Sequence, residues 1–329
     1  MSYFRKKVAI GLPVYNGEGL LEQTLVSLLA QNFQDFELII SDNASTDRTE
    51  AICRDYAKQD PRIRYRRQKK NLGAIPNFNA VFELSDSQYF KWAASDDLCD
   101  STYLEKAVAI LEADPGVVWC HSRSSHIDAD GRLLDESDSL DVSYREREAA
   151  SPSARFSAVL LGGDGCLDSY GLIRSDAIAK TPLYLSYYGP EKIFVAELAL
   201  LGRYQEIPET LFFARVAPQG SGNLESATAQ QAFTDTSVPR GPRFARVRFL
   251  QAYLDAISRS APNRSEAIRC RLAVLRWLFQ VSKWRSLVAK ALRGQGVGGR
   301  NVQRIKRLKS CSERATTGPS ARYETGHDT

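Results

Sequence analysis

Between residues 7 and 121, short runs rich in Val, Ile, Leu and Phe alternate with longer stretches whose apolar residues recur every three or four positions. That rhythm predicts βαβ units around a mostly parallel sheet flanked by helices, an α/β class of fold. Strands are expected over 7–13, 37–41, 63–67, 88–94 and 116–121, and helices over 18–31, 48–58, 77–84 and 101–113. In the first helix Leu20, Leu21, Leu25, Leu28 and Leu29 form one stripe. Thr46 or Asp47 is placed to cap the second helix and Ser101 the fourth.

From residue 122 the rhythm changes. Residues 128–153 are polar and rich in turn formers, with Asp130-Gly131 a hairpin signal. A helix over 153–161, a strand over 171–174, a helix over 191–201 and a strand over 211–216 are expected to close over the sheet ends. Residues 240–293 read as two basic helices separated by Ser260-Ala261-Pro262-Asn263. These boundaries divide the chain into a ligand-binding α/β half (1–122), a second section of the same domain (123–239), a basic helical C-terminal extension (240–309) and a polar, disordered tail (310–329).

Composition sharpens this division. The net charge of +5 over 329 residues combines 24 Lys+Arg against 34 Asp+Glu in residues 1–239 with 18 against 2 in residues 240–309. The acidic front part disfavours nucleic acid as a partner, whereas the basic part suits phosphate-rich surfaces. Six cysteines without a C-x-x-C pair argue against structural zinc and disulfides, and for a reducing compartment. No apolar run approaches the ~20 residues needed to span a bilayer.

Candidate chemistry sits at the expected strand ends. Asp96-Asp97 follows the apolar run 89–94; adjacent carboxylates repel each other in a structural turn but suit an oxygen-seeking divalent cation. Pro13-Val14-Tyr15-Asn16 follows the first strand and Asp42-Asn43-Ala44-Ser45 the second. Open α/β sheets bind ligands beyond such ends. The dinucleotide fingerprint G-x-G-x-x-G is missing, since the first strand offers only Gly11 and Gly17, and no glycine-rich basic phosphate loop accompanies it.

Taken together, Pro13-Val14-Tyr15-Asn16, Ile40-Ser41-Asp42-Asn43-Ala44-Ser45-Thr46-Asp47, Asn71-Leu72-Gly73 and Ala94-Ser95-Asp96-Asp97 closely resemble glycosyltransferase family 2, whose members have the GT-A fold. The resemblance covers roughly residues 7–220. It implies a nucleoside-diphosphate-sugar donor, UDP favoured, Mn²⁺ or Mg²⁺ held by Asp97 with Asp96, and inverting transfer to an acceptor hydroxyl. It further implies a donor pocket of Pro13, Tyr15, Asn16, Glu18, Asp42, Asn71, Gly73 and Asp96. In it Asp42 would meet a base imide, with a helix cap as its alternative, and Tyr15 would stack on the base, with strand-end packing as its alternative. Glu191 matches the second of two acids that open a helix in relatives and is the expected base; Pro190 replaces the first, and Glu197 is the reserve. Ala217 stands where relatives carry His, Arg215 is open to a phosphate or a salt bridge, and His121 and His126 are read as structural or surface groups.

By the same resemblance the chain acts in cell-surface polysaccharide or lipopolysaccharide assembly at the cytoplasmic face of a membrane; a non-catalytic nucleotide-sugar-binding or assembly subunit is the alternative. Arg269, Arg276, Lys283 and Lys290 recur every seven residues in the last long helix, whose Leu and Trp residues supply apolar surface elsewhere. Such a helix fits peripheral membrane contact near a glycan or lipid-linked acceptor, or packing on the domain with a solvated basic face.

Overall fold

The computed structural model describes residues 6–134, 144–162, 166–186, 189–216 and 245–279. Expectations for Ala217, Lys283, Lys290 and the 310–329 tail lie outside these residues. Strand β1 (Val8–Val14) is buried at every position, as its unbroken apolar run requires of a central parallel strand. It pairs in parallel with β2 (Phe36–Asp42) on one side and β4 (Tyr89–Trp92) on the other, and β2 pairs with β3 (Ile63–Arg67). The chain therefore winds outward through β1, β2 and β3, then crosses back to β4. The gap beyond the C-terminal ends of β1 and β4 is the topological switch point where such sheets hold ligands.

Helix α3 (Ala74–Glu83) lies so close to β1 that a Cβ on Gly11 would stand 2.7 Å from Val81 Cγ2 and 2.5 Å from Phe90 Cζ. Helices α1 (Leu21–Leu29), α2 (Thr49–Gln59) and α4 (Tyr103–Ala113) complete this half. Helix α1 starts three residues later than its apolar stripe predicts. Glu18 is held instead by α2, its amide donating to Asp47 Oδ2 and its carboxylate accepting from the Arg48 amide. Asp47 also accepts from the Thr49 amide, whereas Asp100, not Ser101, takes the donors opening α4.

The remaining strands extend the sheet to eight, in the order β3-β2-β1-β4-β7-β6-β8-β5. Strand β7 (Leu172–Arg174) runs antiparallel to both β4 and β6 (Val117–Ile127), and β6 runs parallel to β8 (Arg203–Arg215). Strand β8 begins eight residues before the expected segment. Its pairing with β6 jumps from Ile207↔Ser122 to Thr210↔Arg123, so Pro208 and Glu209 bulge out of a ladder that proline cannot join. The two-residue strand β5 (Leu98–Cys99) pairs antiparallel with Phe212 and Phe213 of β8, which brings the end of β8 beside Asp96-Asp97.

Helices α5 (Pro152–Leu161) and α7 (Glu191–Leu201), with a single turn α6 (Ser175–Ile178) between them, cover one face of this half. The helical pair α8 (Ala245–Ser260) and α9 (Arg264–Leu278) packs on α7 and α5, and Tyr253, Ile257, Cys270, Val274 and Trp277 join the same apolar cluster as Trp92, Phe156 and Phe194. The described part of the basic extension is thus packed on the domain through one face. Among the described residues no helix is long and apolar enough to cross a membrane.

Candidate active site

The loops after β1, β2 and β3 are stitched into one wall. Asn16, in the left-handed region at φ 52°, accepts from the Thr46 amide through Oδ1 and donates its own amide to Ser45 Oγ. Asn71 Oδ1 accepts from Asn43 Nδ2 and from the amide of Gly73, whose φ of 91° precedes α3. Pro13 lies within β1 opposite Ser41. Above this framework Tyr15 is 47% exposed.

Asp42 is placed differently from a free acceptor. It is fully buried: Oδ1 accepts from the Ser45 amide, and Oδ2 from Tyr65 Oη and Arg67 Nη1 at 2.8 and 2.7 Å. The acid-base pairing fixes the wall, and burial next to Asp42 pushes the Tyr65 phenol up. These bonds give Asp42 an anchoring role in the wall. Tyr65 and Arg67, absent from the sequence-level candidates, are its partners; their signal is the polar end of the alternating strand β3.

At the switch point, Asp97 Oδ1 accepts from the Arg215 amide and its main-chain oxygen accepts from Thr24 Oγ1. Asp97 Oδ2 receives no hydrogen bond among the described residues, and the Asp96 carboxylate is met by its own amide alone. Burial, then the charge of Asp96, pushes Asp97 up to about 7, and burial also raises Asp96. The Arg215 guanidinium makes no salt bridge among the described residues and donates to the main-chain oxygens of Asp96, Asp128 and Ala129 and to Gln23 Oε1. Beneath the pair, buried Lys91 donates to the Tyr170 carbonyl, with its Nζ 4.6 Å from the Tyr103 ring centre and 5.1 Å from that of Phe212.

Glu191 opens α7, and burial raises its pKa, outweighing one backbone hydrogen bond that lowers it. Burial, then the charges of Asp97, Tyr184, Glu191 and Asp96, raise the Tyr170 hydroxyl above the ordinary phenol range, so Glu191 and the aspartates lie in one neighbourhood. Glu197 is not part of this group. It is fully buried under Arg259 Nε, Arg259 Nη2 and Ser260 Oγ, at 2.7, 2.9 and 2.7 Å, and so drops out as the reserve base. His121, expected to be structural, is buried between Tyr103 Oη and Ser124 Oγ, and burial holds it neutral.

The donor set at Asp96-Asp97 fits a hard divalent cation, because two adjacent, partly desolvated carboxylates repel each other and Asp97 Oδ2 keeps no hydrogen-bond donor among the described residues. Among the described residues no cluster of three or more His, Cys, Asp or Glu gathers there. Remaining coordination positions would fall to a ligand's own oxygens and water.

Residues 9–157 match the family model described as glycosyl transferase family 2. A Bacillus subtilis (strain 168) protein named as a teichuronic acid biosynthesis glycosyltransferase, TuaG, is 32% identical over 111 residues, which are 34% of this chain and 44% of that protein. The chain spans from 12 to 50% of the length of the curated relatives it matches. Among solved structures, S. aureus TarS in complex with UDP-GlcNAc aligns with a TM-score of 0.56 at 17% identity, over 83% of this chain and 71% of that one. The mannosyltransferase PcManGT from Pyrobaculum calidifontis, in complex with GDP-Man and Mn²⁺, gives 0.50 at 16% identity, over 88 and 87%. The resemblance to glycosyltransferase family 2 holds, and the fold is of the GT-A type.

Proposed function

We propose that this chain is a metal-dependent, inverting glycosyltransferase that moves a sugar from a nucleoside-diphosphate donor, UDP favoured, to an acceptor hydroxyl in cell-surface polysaccharide or lipopolysaccharide assembly. The observation that carries this reading is the Asp96-Asp97 turn held by Arg215 at the switch point of the sheet, in a chain whose residues 9–157 match the glycosyl transferase family 2 model. The fold, the relatives' names and the UDP-GlcNAc and GDP-Man complexes of structural neighbours support the donor class.

On this reading residues 1–122 hold the donor and residues 123–239 bring the acceptor and the base. Tyr15 stacks on the nucleobase, within a wall kept in register by Asn16, Glu18, Asp42, Asn71 and Gly73; such stacking is worth on the order of 1–3 kcal/mol. Asp97 and Asp96 hold Mn²⁺ or Mg²⁺, which when bound neutralises charge developing on the diphosphate leaving group. Glu191 takes the proton of the acceptor hydroxyl as its oxygen forms a bond to the anomeric carbon. The bond from that carbon to the donor oxygen breaks on the opposite face, and its electron pair leaves with the diphosphate. Raised by desolvation, the Glu191 carboxylate is a stronger base than an exposed one.

The test is a thermal-shift panel of UDP, GDP, CDP and dTDP, each with and without Mn²⁺, on the wild type and on Asp97→Ala. A ligand at 100 times its Kd adds about 2.7 kcal/mol. One nucleotide stabilising only with metal, and no longer doing so in Asp97→Ala, is the expected result. No shift with any nucleotide would overturn the donor assignment. Nucleotide binding without turnover under any acceptor screen would favour the assembly-subunit reading, to which Pro190 at the first acid's place gives some weight.

A further inference from the structure

Helix α9 turns one face to the core and an apolar face to solvent. Glu266, Cys270, Ala273, Val274 and Trp277 are buried, and the helix packs on α5 and α8. On the opposite side Ile268, Leu272 and Leu275, with Phe279 just past the helix end, are 48, 52, 49 and 76% exposed. Their spacings of four, three and four put them in one narrow stripe. Single exposed apolar side chains are ordinary on a protein surface, whereas an aligned row marks a contact.

The stripe is bordered by positive charge. At about 100° per residue, Arg264 and Arg271 fall along one edge, and Arg269 and Arg276 along the other. All four are exposed. The single acid of the helix, Glu266, is buried and satisfied by the Ser153 amide and Arg269. At the second edge an open depression of about 240 Å³ is lined by Arg269, Arg276, Ser153, Ser157 and Leu272.

We propose that this face docks on an anionic lipid bilayer, with Ile268, Leu272, Leu275 and Phe279 entering the acyl boundary and the four arginines meeting lipid phosphates on either side. Charge complementarity selects this occupant. A second copy of the same face would bring like-charged borders together, whereas a lipid surface offers apolar chains and anionic groups at adjoining depths. The helix would lie in the interface rather than cross it. The sequence stays basic after the helix, with Lys283, Arg285 and Lys290. This inference is independent of the transfer chemistry, which its test does not read.

The test is co-flotation of the full chain with vesicles of phosphatidylcholine, alone or mixed with phosphatidylglycerol, at low and high salt. Binding to the mixed vesicles alone, weakened by salt, is expected. Leu272→Ser combined with Phe279→Ser should lower the partition coefficient at least about tenfold, and Arg264→Gln and Arg271→Gln about fivefold each, with melting temperature unchanged because all four side chains are exposed. No retention on mixed vesicles, or retention that neither pair of substitutions weakens, would overturn the proposal. So would self-association that the stripe substitutions abolish, which would assign the face to a second copy. A Leu272→Cys thiol already shielded from reagents without lipid would mean that the chain covers the stripe itself.

Discussion

Arg215 Nε donates to the main-chain oxygen of Asp96 at 2.7 Å, while the Arg215 amide donates to Asp97 Oδ1 at 2.8 Å. One residue at the end of β8 thus fixes both the backbone and a carboxylate of the Asp-Asp turn, across 118 positions of sequence. The remaining guanidinium donors tie in Asp128, Ala129 and Gln23, so the turn, α1 and the 128–131 loop share one clamp.

Replacing Arg215 by lysine keeps the charge but removes the planar fork that reaches four acceptors. Arg215→Lys should lose about 2–4 kcal/mol of stability in denaturant titration. The metal-dependent nucleotide shift should shrink in parallel. A variant of wild-type stability with an intact shift would show that the clamp does not position the aspartates.

Glu191→Gln should lower kcat by about 10²–10⁴-fold while leaving the nucleotide thermal shift unchanged. Its effect on stability has the opposite sign. Because burial raises the folded pKa, the native state binds this proton more tightly than the unfolded chain, so the charged form costs stability as pH rises past the unfolded value. The neutral amide removes that cost, and the variant should melt no lower than the wild type at neutral pH.

The same shift sets a pH profile. Wild-type kcat/KM should fall as pH drops through a pKa above the ordinary glutamate range, since the base works only when deprotonated. An acid limb at the ordinary glutamate value would place the base in a solvated setting and argue for another residue.

Tyr170→Phe removes a hydroxyl that receives and makes no hydrogen bond among the described residues, while keeping the ring stacked on Phe212 at 5.9 Å. Stability should change little. If that hydroxyl meets the acceptor or the departing diphosphate, kcat should fall by about tenfold or more at unchanged nucleotide affinity. Unchanged turnover would make Tyr170 a spacer between the acids.

Asp42→Asn separates anchoring from base recognition. As an anchor, Asp42 should cost about 1–3 kcal/mol when neutralised, with affinity for all nucleotides falling together. A change in preference among UDP, GDP and dTDP at unchanged stability would restore direct base contact.

The continuous apolar run of β1 and the helical periodicities over 21–29, 49–59 and 103–113 made the first half of the sheet readable, because local period and burial coincide there. Glu18 was legible as a polar group in a helical pattern, yet its bonds to α2 keep it outside α1. Strand β8 was shortened in the sequence reading by the polar bulge at Pro208-Glu209, whose pairing with β6 is visible only in three dimensions.

The sequence by itself determined the order of elements, the Asp96-Asp97 turn at a strand end and the charge contrast between residues 1–239 and 240–309, since each is set by neighbours within a few positions. The tertiary structure alone decided which polar groups were already occupied. Asp42 is engaged by Tyr65 and Arg67, Glu197 by Arg259, and Arg215 by main-chain oxygens and Gln23, whereas Asp97 Oδ2 is left without a donor among the described residues. A buried polar group must be satisfied, and for these residues the partner lies on another element, beyond the reach of spacing along the chain.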